Sequence, residues 1–195
     1  KLDEIVLRKT GMEIGPRPEL KPWREFLAHM QNAKDTVRIG LVGKYVELQD
    51  AYKSINEALF QAATYNNRKL DLQYIHSEKL TESNVEEKLS SMDGLIIAPG
   101  FGQRGVEGKF VALKYAREHD MPTFGICLGM QCMVIEYARD VLGYKDANST
   151  EMDVNTPHNV IDLMESQKCI SNMGGTMRLG EYDCILQEGS KAEQA

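Results

Sequence analysis

Along most of the chain, short runs of apolar residues alternate with segments in which apolar residues recur at helical spacing. Short apolar runs predict strands at 37–42, 70–75, 94–98 and 122–126. Apolar residues at helical spacing predict helices at 50–65, 107–118 and 128–141, and Thr81 is suited to cap a shorter helix that reaches Leu89. Strands that alternate with helices indicate an α/β fold of three layers, a mainly parallel sheet with helices on both faces. Ligands of such sheets bind beyond the carboxyl ends of the strands.

The region before this alternation has a weaker pattern. Pro16 and Pro18 interrupt it, and a short helix is predicted to begin near Pro22. The apolar residues of that helix are spaced to dock on the domain that follows: Trp23, Phe26, Leu27 and Met30. We interpret residues 1–36 as a linker between domains and residues 37–195 as one domain that is incomplete at its C-terminal end.

The pattern also weakens after Leu142. Short strands are predicted at 159–164 and 182–186. The stretch between them is rich in glycine, with Gly174, Gly175 and Gly180. Since glycine is entropically costly to order, we expect a mobile loop there.

Composition narrows the classes of function. The chain has 195 residues, 42% hydrophobic and 27% charged, as is typical of a soluble globular protein. A net charge of −6 argues against a broad nucleic-acid-binding surface, and the apolar runs are too short to span a membrane. The four cysteines form no C-x-x-C pair, so neither a zinc site nor a disulfide scaffold is indicated. We expect a reduced, cytoplasmic protein that holds no metal.

The sharpest chemical pattern is the segment GICLG at 125–129. Cys127 lies where a buried strand meets an amphipathic helix, and G-x-C-x-G has the form of a nucleophile elbow with cysteine in place of serine. The positive end of the helix dipole favours a thiolate there, and the Leu128 N–H is directed toward a developing oxyanion. The alternative for Cys127 is a small buried hydrophobic residue at a strand end, and we interpret Cys132, within the following helix, as a core residue.

Three further features have weaker patterns. Gly100 follows a strand in the sequence APGFGQRG and is the first residue after Pro99 that can donate a backbone N–H to a ligand, although a simple turn would also need glycine there. The segment GLVGKY at 40–45 lacks the spacing of a phosphate-binding loop. Glu151 could bind the α-amino group of a substrate or be an ordinary surface acid.

The base that a cysteine nucleophile needs is not apparent in the sequence. The four histidines are His29, His76, His119 and His158. His29, His119 and His158 have no carboxylate two residues further on, whereas His76, at the end of a predicted strand, is followed by Glu78, and we do not interpret it as the base.

Together these segments resemble the class I glutamine amidotransferase domain of the CTP synthase family. The resemblance runs in order from residue 37 to about residue 186 and rests on six segments: VGKY at 42–45, DAYKS at 50–54, RGVEG at 104–108, GICLGMQ at 125–131, DANSTE at 146–151 and GGTMRLG at 174–180. One departure lies in the glycine turn, where the family usually has Pro-Gly-Gly-Phe-Gly and this chain has proline before Gly100.

The resemblance implies a role for each matched segment. Cys127 would attack the side-chain amide of L-glutamine and form a thioester, while the amides of Leu128 and Gly100 stabilise the oxyanion. The glutamine site would be lined by Gly100, Phe101, Leu128, Gly129, Met130, Gln131 and Glu151. A lid linked to allosteric activation by GTP would include Thr176 and Arg178, with Arg104 and Glu107 near it.

The resemblance also implies partners. Ammonia would pass to a synthetase domain of the same protein, which uses ATP, Mg²⁺ and UTP to form CTP, whereas the glutaminase domain itself needs no cofactor. The parent protein would be a homo-oligomer, a tetramer in the family. The family's catalytic His-x-Glu and an arginine of the glutamine site would lie beyond residue 195, so we expect slow turnover by these 195 residues alone.

Two other interpretations remain open from the sequence. One is a non-catalytic module that uses an amidotransferase-like fold to bind a partner domain or nucleotide. The other is a different cysteine hydrolase of the same superfold, such as a γ-glutamyl peptidase or a DJ-1-like stress protein. The segments at 148–151 and 174–180 argue against the second interpretation, and retention of Cys127 argues against the first.

Overall fold

A parallel sheet forms the centre of the molecule in the computed structural model, which describes residues 2–16, 19–168, 180–181 and 183–194. Its strands are β1 (Asp35–Gly43), β2 (Arg68–His76), β3 (Gly94–Ile97) and β4 (Thr123–Gly125). They lie in the order β2-β1-β3-β4, and every pairing is parallel. The four predicted strands and their parallel arrangement are therefore confirmed.

Eight α-helices occur in the described ranges. Their bounds are α1 Leu2–Lys9, α2 Lys21–Asn32, α3 Lys53–Tyr65, α4 Val85–Leu89, α5 Val106–Glu118, α6 Leu128–Asp140, α7 Glu165–Lys168 and α8 Lys191–Gln194. Short 3-10 turns at Gln49–Tyr52 and Ser77–Lys79 follow β1 and β2. The three long helices predicted within the alternating region correspond to α3, α5 and α6.

The structure corrects the predicted start of α4. Thr81 does not cap this helix, because α4 begins at Val85 and Asn84 occupies the capping position. The Asn84 carboxamide instead accepts a hydrogen bond from the Thr81 N–H at 2.9 Å. The residues before α4 therefore form an asparagine-stabilised turn.

The sheet is buried on both faces. Successive residues of a strand face opposite sides, and Leu41 and Val42 of β1 accordingly belong to two different apolar clusters. Val42 packs with Leu95 and Ile97 in the larger cluster, which also includes residues of α4, α5 and α6. Leu41 packs with Tyr52 and Ala98, together with partly buried residues that include Ile55 of α3. This arrangement confirms the three-layer α/β prediction.

The predicted linker contains two helices. The sequence pattern did not predict α1, which has no buried residue. In α2 the Phe26 ring stacks on Trp23 at 5.4 Å and meets the edge of Phe60 from α3 at 6.4 Å. The predicted docking of α2 therefore occurs through Phe26, whereas Trp23 stays 58% exposed.

The last part of the chain is less regular than predicted. β5 (Asn148–Ser149) pairs in parallel with β6 (Asn159–Ile161), so the strand predicted at 159–164 is shorter than expected. Residues 183–186 have no strand structure, and Tyr182 lies outside the described residues, as does most of the glycine-rich stretch, 173–179. Within the described ranges, no helix has the length and apolar composition needed to cross a membrane.

Candidate active site

Cys127 lies between the end of β4 and the start of α6, at the N-cap position of that helix. Its backbone angles, φ 53° and ψ −112°, lie in a region that residues with a side chain rarely occupy. The thiol-bearing residue is exposed. The strained strand-to-helix turn expected from the sequence is therefore present, and it presents Cys127 at the carboxyl edge of the parallel sheet.

The two glycines of the elbow are required by close packing. A Cβ atom on Gly129 would lie 2.0 Å from the backbone oxygen of Ile97, and one on Gly125 would lie 2.6 Å from the carbonyl carbon of Gly129. Real Cβ atoms essentially never approach other heavy atoms this closely. Gly125 and Gly129 thus let α6 begin directly against the end of β3.

The first turn of α6 supplies backbone donors beside the thiol. Leu128 is the first residue of the helix, and the N–H of such a residue has no acceptor within its own helix. The next amide, of Gly129, donates to Ile126 O at 2.9 Å, and the Gln131 amide donates to Cys127 O at 3.1 Å. Among the described residues, the Leu128 N–H donates to no backbone carbonyl outside its helix, as binding of an oxyanion requires.

The glycine turn after β3 lies next to the elbow. A Cβ on Gly100 would be 3.6 Å from Leu128 Cδ2 and 3.4 Å from Lys44 Cε, so these three residues are neighbours. The buried ammonium of Lys44 donates a hydrogen bond to Phe101 O. We predict a separation of about 4–6 Å between Cys127 Sγ and Gly100 N, a distance at which both can reach one carbonyl group.

Two of the predicted glutamine-binding residues line one pocket. Gln131 and Glu151 both border a cavity of about 730 Å³ that extends to Thr150 and Asp162. The Glu151 carboxylate also accepts a hydrogen bond from the Gly102 N–H at 3.3 Å, which joins this pocket to the glycine turn. Of the other predicted residues, Phe101 and Met130 are exposed and Gly129 is buried.

The residues predicted to lie near a lid have separate surroundings. Arg104 forms an ion pair with Glu78, and its guanidinium lies 5.4 Å from the centre of the Tyr45 ring. Glu107 lies in the first turn of α5 and borders a different, polar cavity of about 540 Å³ that includes Arg139. Thr176 and Arg178 lie outside the described residues.

The histidines have contacts that the sequence did not predict. His158 Nδ1 lies 2.7 Å from Asp146 Oδ1, and its ring stacks on Tyr144 at 4.6 Å. This carboxylate precedes the histidine by 12 positions, so a search for an acid two residues further on could not find it. Among the contacts of the described residues, none joins a histidine to Cys127.

A lysine that the sequence pattern did not single out lies beneath the glycine turn. Lys109 of α5 is 1% exposed, and its ammonium donates to Ala98 O at 2.6 Å. Burial lowers the pKa of Lys109, an effect that the thiols of Cys132 and Cys127 oppose and the charge of Lys44 reinforces. Burial also raises the pKa of the Cys132 thiol to about 11, in agreement with its interpretation as a core residue.

Comparison with known proteins agrees with this geometry. Residues 47–195 match the family described as glutamine amidotransferase class-I. The chain belongs to the class I glutamine amidotransferase family. Within the described residues no cluster of His, Cys, Asp and Glu is arranged to hold a metal ion.

The amidotransferase is similar over its whole length to proteins named CTP synthase. It is 66% identical to the one from Porphyromonas gingivalis and 64% identical to the one from Bacteroides fragilis. In each case the match covers 100% of this chain but 36% of the relative, so the chain spans about a third of the length of these relatives.

A solved structure is similar as well. The glutaminase domain of Trypanosoma brucei CTPS with bound acivicin matches with a TM-score of 0.63 and 39% identity. The match covers 67% of this chain and 51% of that chain.

Proposed function

We propose that this domain hydrolyses L-glutamine and that Cys127 is the nucleophile. The observation that carries the proposal is the backbone of Cys127, which is held at φ 53° at the start of α6 beside the Gly100 turn. Strain of this kind persists only where the surrounding packing enforces it, and it occurs preferentially at catalytic residues. The membership of the chain in the amidotransferase family supports the same chemistry.

In the proposed reaction the Cys127 thiolate attacks the carbon of the glutamine side-chain amide. The carbonyl electrons move to oxygen, and the amides of Leu128 and Gly100 donate to that oxyanion. When the oxyanion collapses, the C–N bond breaks, the nitrogen takes up a proton from solvent and ammonia leaves, so that a γ-glutamyl thioester remains on Cys127. Water then attacks the thioester, which releases glutamate and restores the thiol.

Glutamine would be bound by groups on both sides of Cys127. The carboxylate of Glu151 suits the α-ammonium of the substrate, and Gln131 lines the same pocket. The Gly102–Glu151 hydrogen bond ties this carboxylate to the turn that carries Gly100. Binding of the amino acid and stabilisation of the oxyanion would thus use one connected set of residues, completed by Phe101, Leu128, Gly129 and Met130.

The role of the ammonia follows from the relatives. We propose that, in a protein of their length, it passes to a synthetase domain and converts UTP to CTP with ATP and Mg²⁺. Identities of 53–66% to proteins named CTP synthase support this assignment. Activation by GTP through Arg104, Glu107, Thr176 and Arg178, a homotetrameric assembly and a cytoplasmic location belong to the same proposal.

Covalent labelling by acivicin tests the proposed nucleophile. The 195-residue protein is incubated with acivicin, and intact mass and peptide mapping locate the adduct. We expect one adduct, on Cys127, and slower labelling when L-glutamine is present, because both molecules would occupy one pocket. Cys132→Ser is the matched control and should label normally, since Cys132 is fully buried. Labelling elsewhere, or no protection by glutamine, would contradict the proposal.

Replacing Glu151 with glutamine should weaken substrate binding. The substitution keeps the size of the side chain and its bond to Gly102 but removes the charge that faces the α-ammonium. Loss of a charged hydrogen bond of about 1.5–3 kcal/mol predicts roughly 10- to 100-fold less protection of Cys127 by glutamine. The measurement is the glutamine concentration that halves the rate of acivicin labelling. Glu25→Gln, a change at an exposed carboxylate of α2, should leave that concentration unchanged.

A further inference from the structure

Lys109 occupies a position that is unfavourable for a lysine. Its side chain is 1% exposed, on a helix whose other buried residues include Phe110 and Leu113. An ammonium group loses much of its hydration when it is buried, and lysine is rarely found fully buried without a partner. Among the described residues, its hydrogen-bond partner is Ala98 O, at 2.6 Å. A neutral carbonyl compensates less for burial than a carboxylate would, so stability alone does not explain this lysine.

The carbonyl that Lys109 holds is next to the proposed oxyanion site. Ala98 continues from the end of β3, is fully buried and is fixed at its other side by a bond from its N–H to Val42 O of 2.9 Å. Pro99 has no N–H, so Gly100 carries the first donor of the turn. Only Pro99 separates Ala98 from Gly100. The orientation of the Ala98 carbonyl therefore influences the direction of the Gly100 N–H.

A second lysine holds the other side of the same turn. The buried Lys44 donates to Phe101 O, so the carbonyls of Ala98 and Phe101, which lie on either side of Gly100, both bind ammonium groups. The two lysines come from different elements, since Lys44 follows β1 and Lys109 belongs to α5. The turn is thereby fixed to the sheet and to the helix at once.

The helix that supplies Lys109 is itself held rigidly. A Cβ on Gly108 would lie 1.7 Å from the backbone oxygen of Ser77, so the start of α5 packs directly on the 3-10 turn after β2. Lys109 is the next residue along this helix. The backbone that carries the Lys109 side chain is therefore held in place. A residue that positions another group needs such a support.

We propose that Lys109 is a positioning residue for glutamine hydrolysis: it holds the Ala98 carbonyl so that the Gly100 amide faces the substrate at Cys127. This inference rests on the proposed glutaminase function. Lys109 does not touch the reacting atoms, and its effect passes through the backbone of the turn. Replacing it with methionine, which has similar length and no charge, should misdirect the Gly100 donor and leave the fold as stable as before or more so.

The rates at which two electrophiles label Cys127 distinguish a positioning role of Lys109 from its other possible roles. Acivicin must occupy the glutamine pocket and develop negative charge next to the attacked carbon, whereas iodoacetamide needs only an accessible thiolate. In the 195-residue protein we expect Lys109→Met to slow acivicin labelling of Cys127 by at least about tenfold, because loss of one oxyanion donor typically costs 10²- to 10³-fold in rate. The iodoacetamide rate should fall much less than the acivicin rate, since it reports only the loss of the Lys109 charge near the Cys127 thiolate and not the direction of the Gly100 donor. Lys114→Met, a substitution on the exposed part of α5, should change neither rate.

Each other outcome overturns the proposal in a distinct way. An unchanged acivicin rate in Lys109→Met would mean that the turn keeps its geometry without the ammonium. A parallel fall with both reagents would mean that Lys109 acts on the thiolate itself, and a lowered unfolding midpoint in urea would assign it a structural role. If the unaltered protein is not labelled at Cys127 by acivicin but is labelled by iodoacetamide, the glutaminase proposal fails first and the role of Lys109 fails with it.

Discussion

Replacing Cys127 with glycine is expected to stabilise the fold while it removes the reaction. Loss of the nucleophile should abolish the slow glutamine hydrolysis expected of these 195 residues, because no thioester can form without it. The backbone of Cys127 at φ 53° and ψ −112° suits glycine, whereas a residue with a side chain is strained there by about 1–3 kcal/mol. The greater entropy of glycine in the unfolded chain offsets about 0.4–1 kcal/mol of this relief. We therefore expect a net gain of roughly 1 kcal/mol in the free energy of unfolding.

The matched control is Cys127→Ala, which removes the thiol but retains a Cβ in the strained conformation. Both variants should lack activity, and only the glycine variant should be more stable. Ammonia release from L-glutamine measures the first property, and urea denaturation measures the second. Equal stability of the glycine and alanine variants would mean that the elbow stores no strain. Hydrolysis at the original rate by either variant would exclude Cys127 as the nucleophile.

The elbow was predictable because its determinants are local. Gly125, Cys127 and Gly129 lie within five consecutive residues, and the apolar pattern on either side places them between a strand and a helix. The parallel sheet was predictable for a similar reason, since each strand and helix carries its own spacing of apolar residues. The close approach of Gly129 to Ile97 O joins α6 to β3, and it could be found only from the structure.

Contacts between distant segments could not be predicted in this way. Lys109 looks like any surface lysine of an amphipathic helix in the sequence, because its burial depends on how α5 lies against the end of β3. The Asp146–His158 pair and the Gly102–Glu151 bond likewise join residues that only the fold brings together. Resemblance to a family identified Glu151 as a candidate, but it did not indicate which backbone group that carboxylate binds.

Replacing Gly129 with alanine should damage the fold and the elbow together. A Cβ at this position would lie 2.0 Å from Ile97 O and 2.8 Å from the Ile97 carbonyl carbon, both backbone atoms of the central strand β3. Alanine is favoured over glycine within a helix by about 1 kcal/mol, so helix propensity alone would predict stabilisation. Because backbone atoms of a buried strand cannot move aside as a flexible side chain can, we expect the steric overlap to outweigh this gain and to lower the free energy of unfolding by about 2–4 kcal/mol.

Gly15→Ala is the control for the glycine substitution, since a Cβ on Gly15 would meet nothing within 4 Å. Urea denaturation of the two variants should show a large shift of the midpoint for Gly129→Ala and almost none for Gly15→Ala. Any folded Gly129→Ala protein should also label slowly with acivicin, because movement of α6 away from β3 would displace Cys127 and the Leu128 amide from the Gly100 turn. A Gly129→Ala protein that is as stable and as reactive as the original would mean that α6 does not begin against β3 in solution, and the proposed oxyanion site would lose its basis.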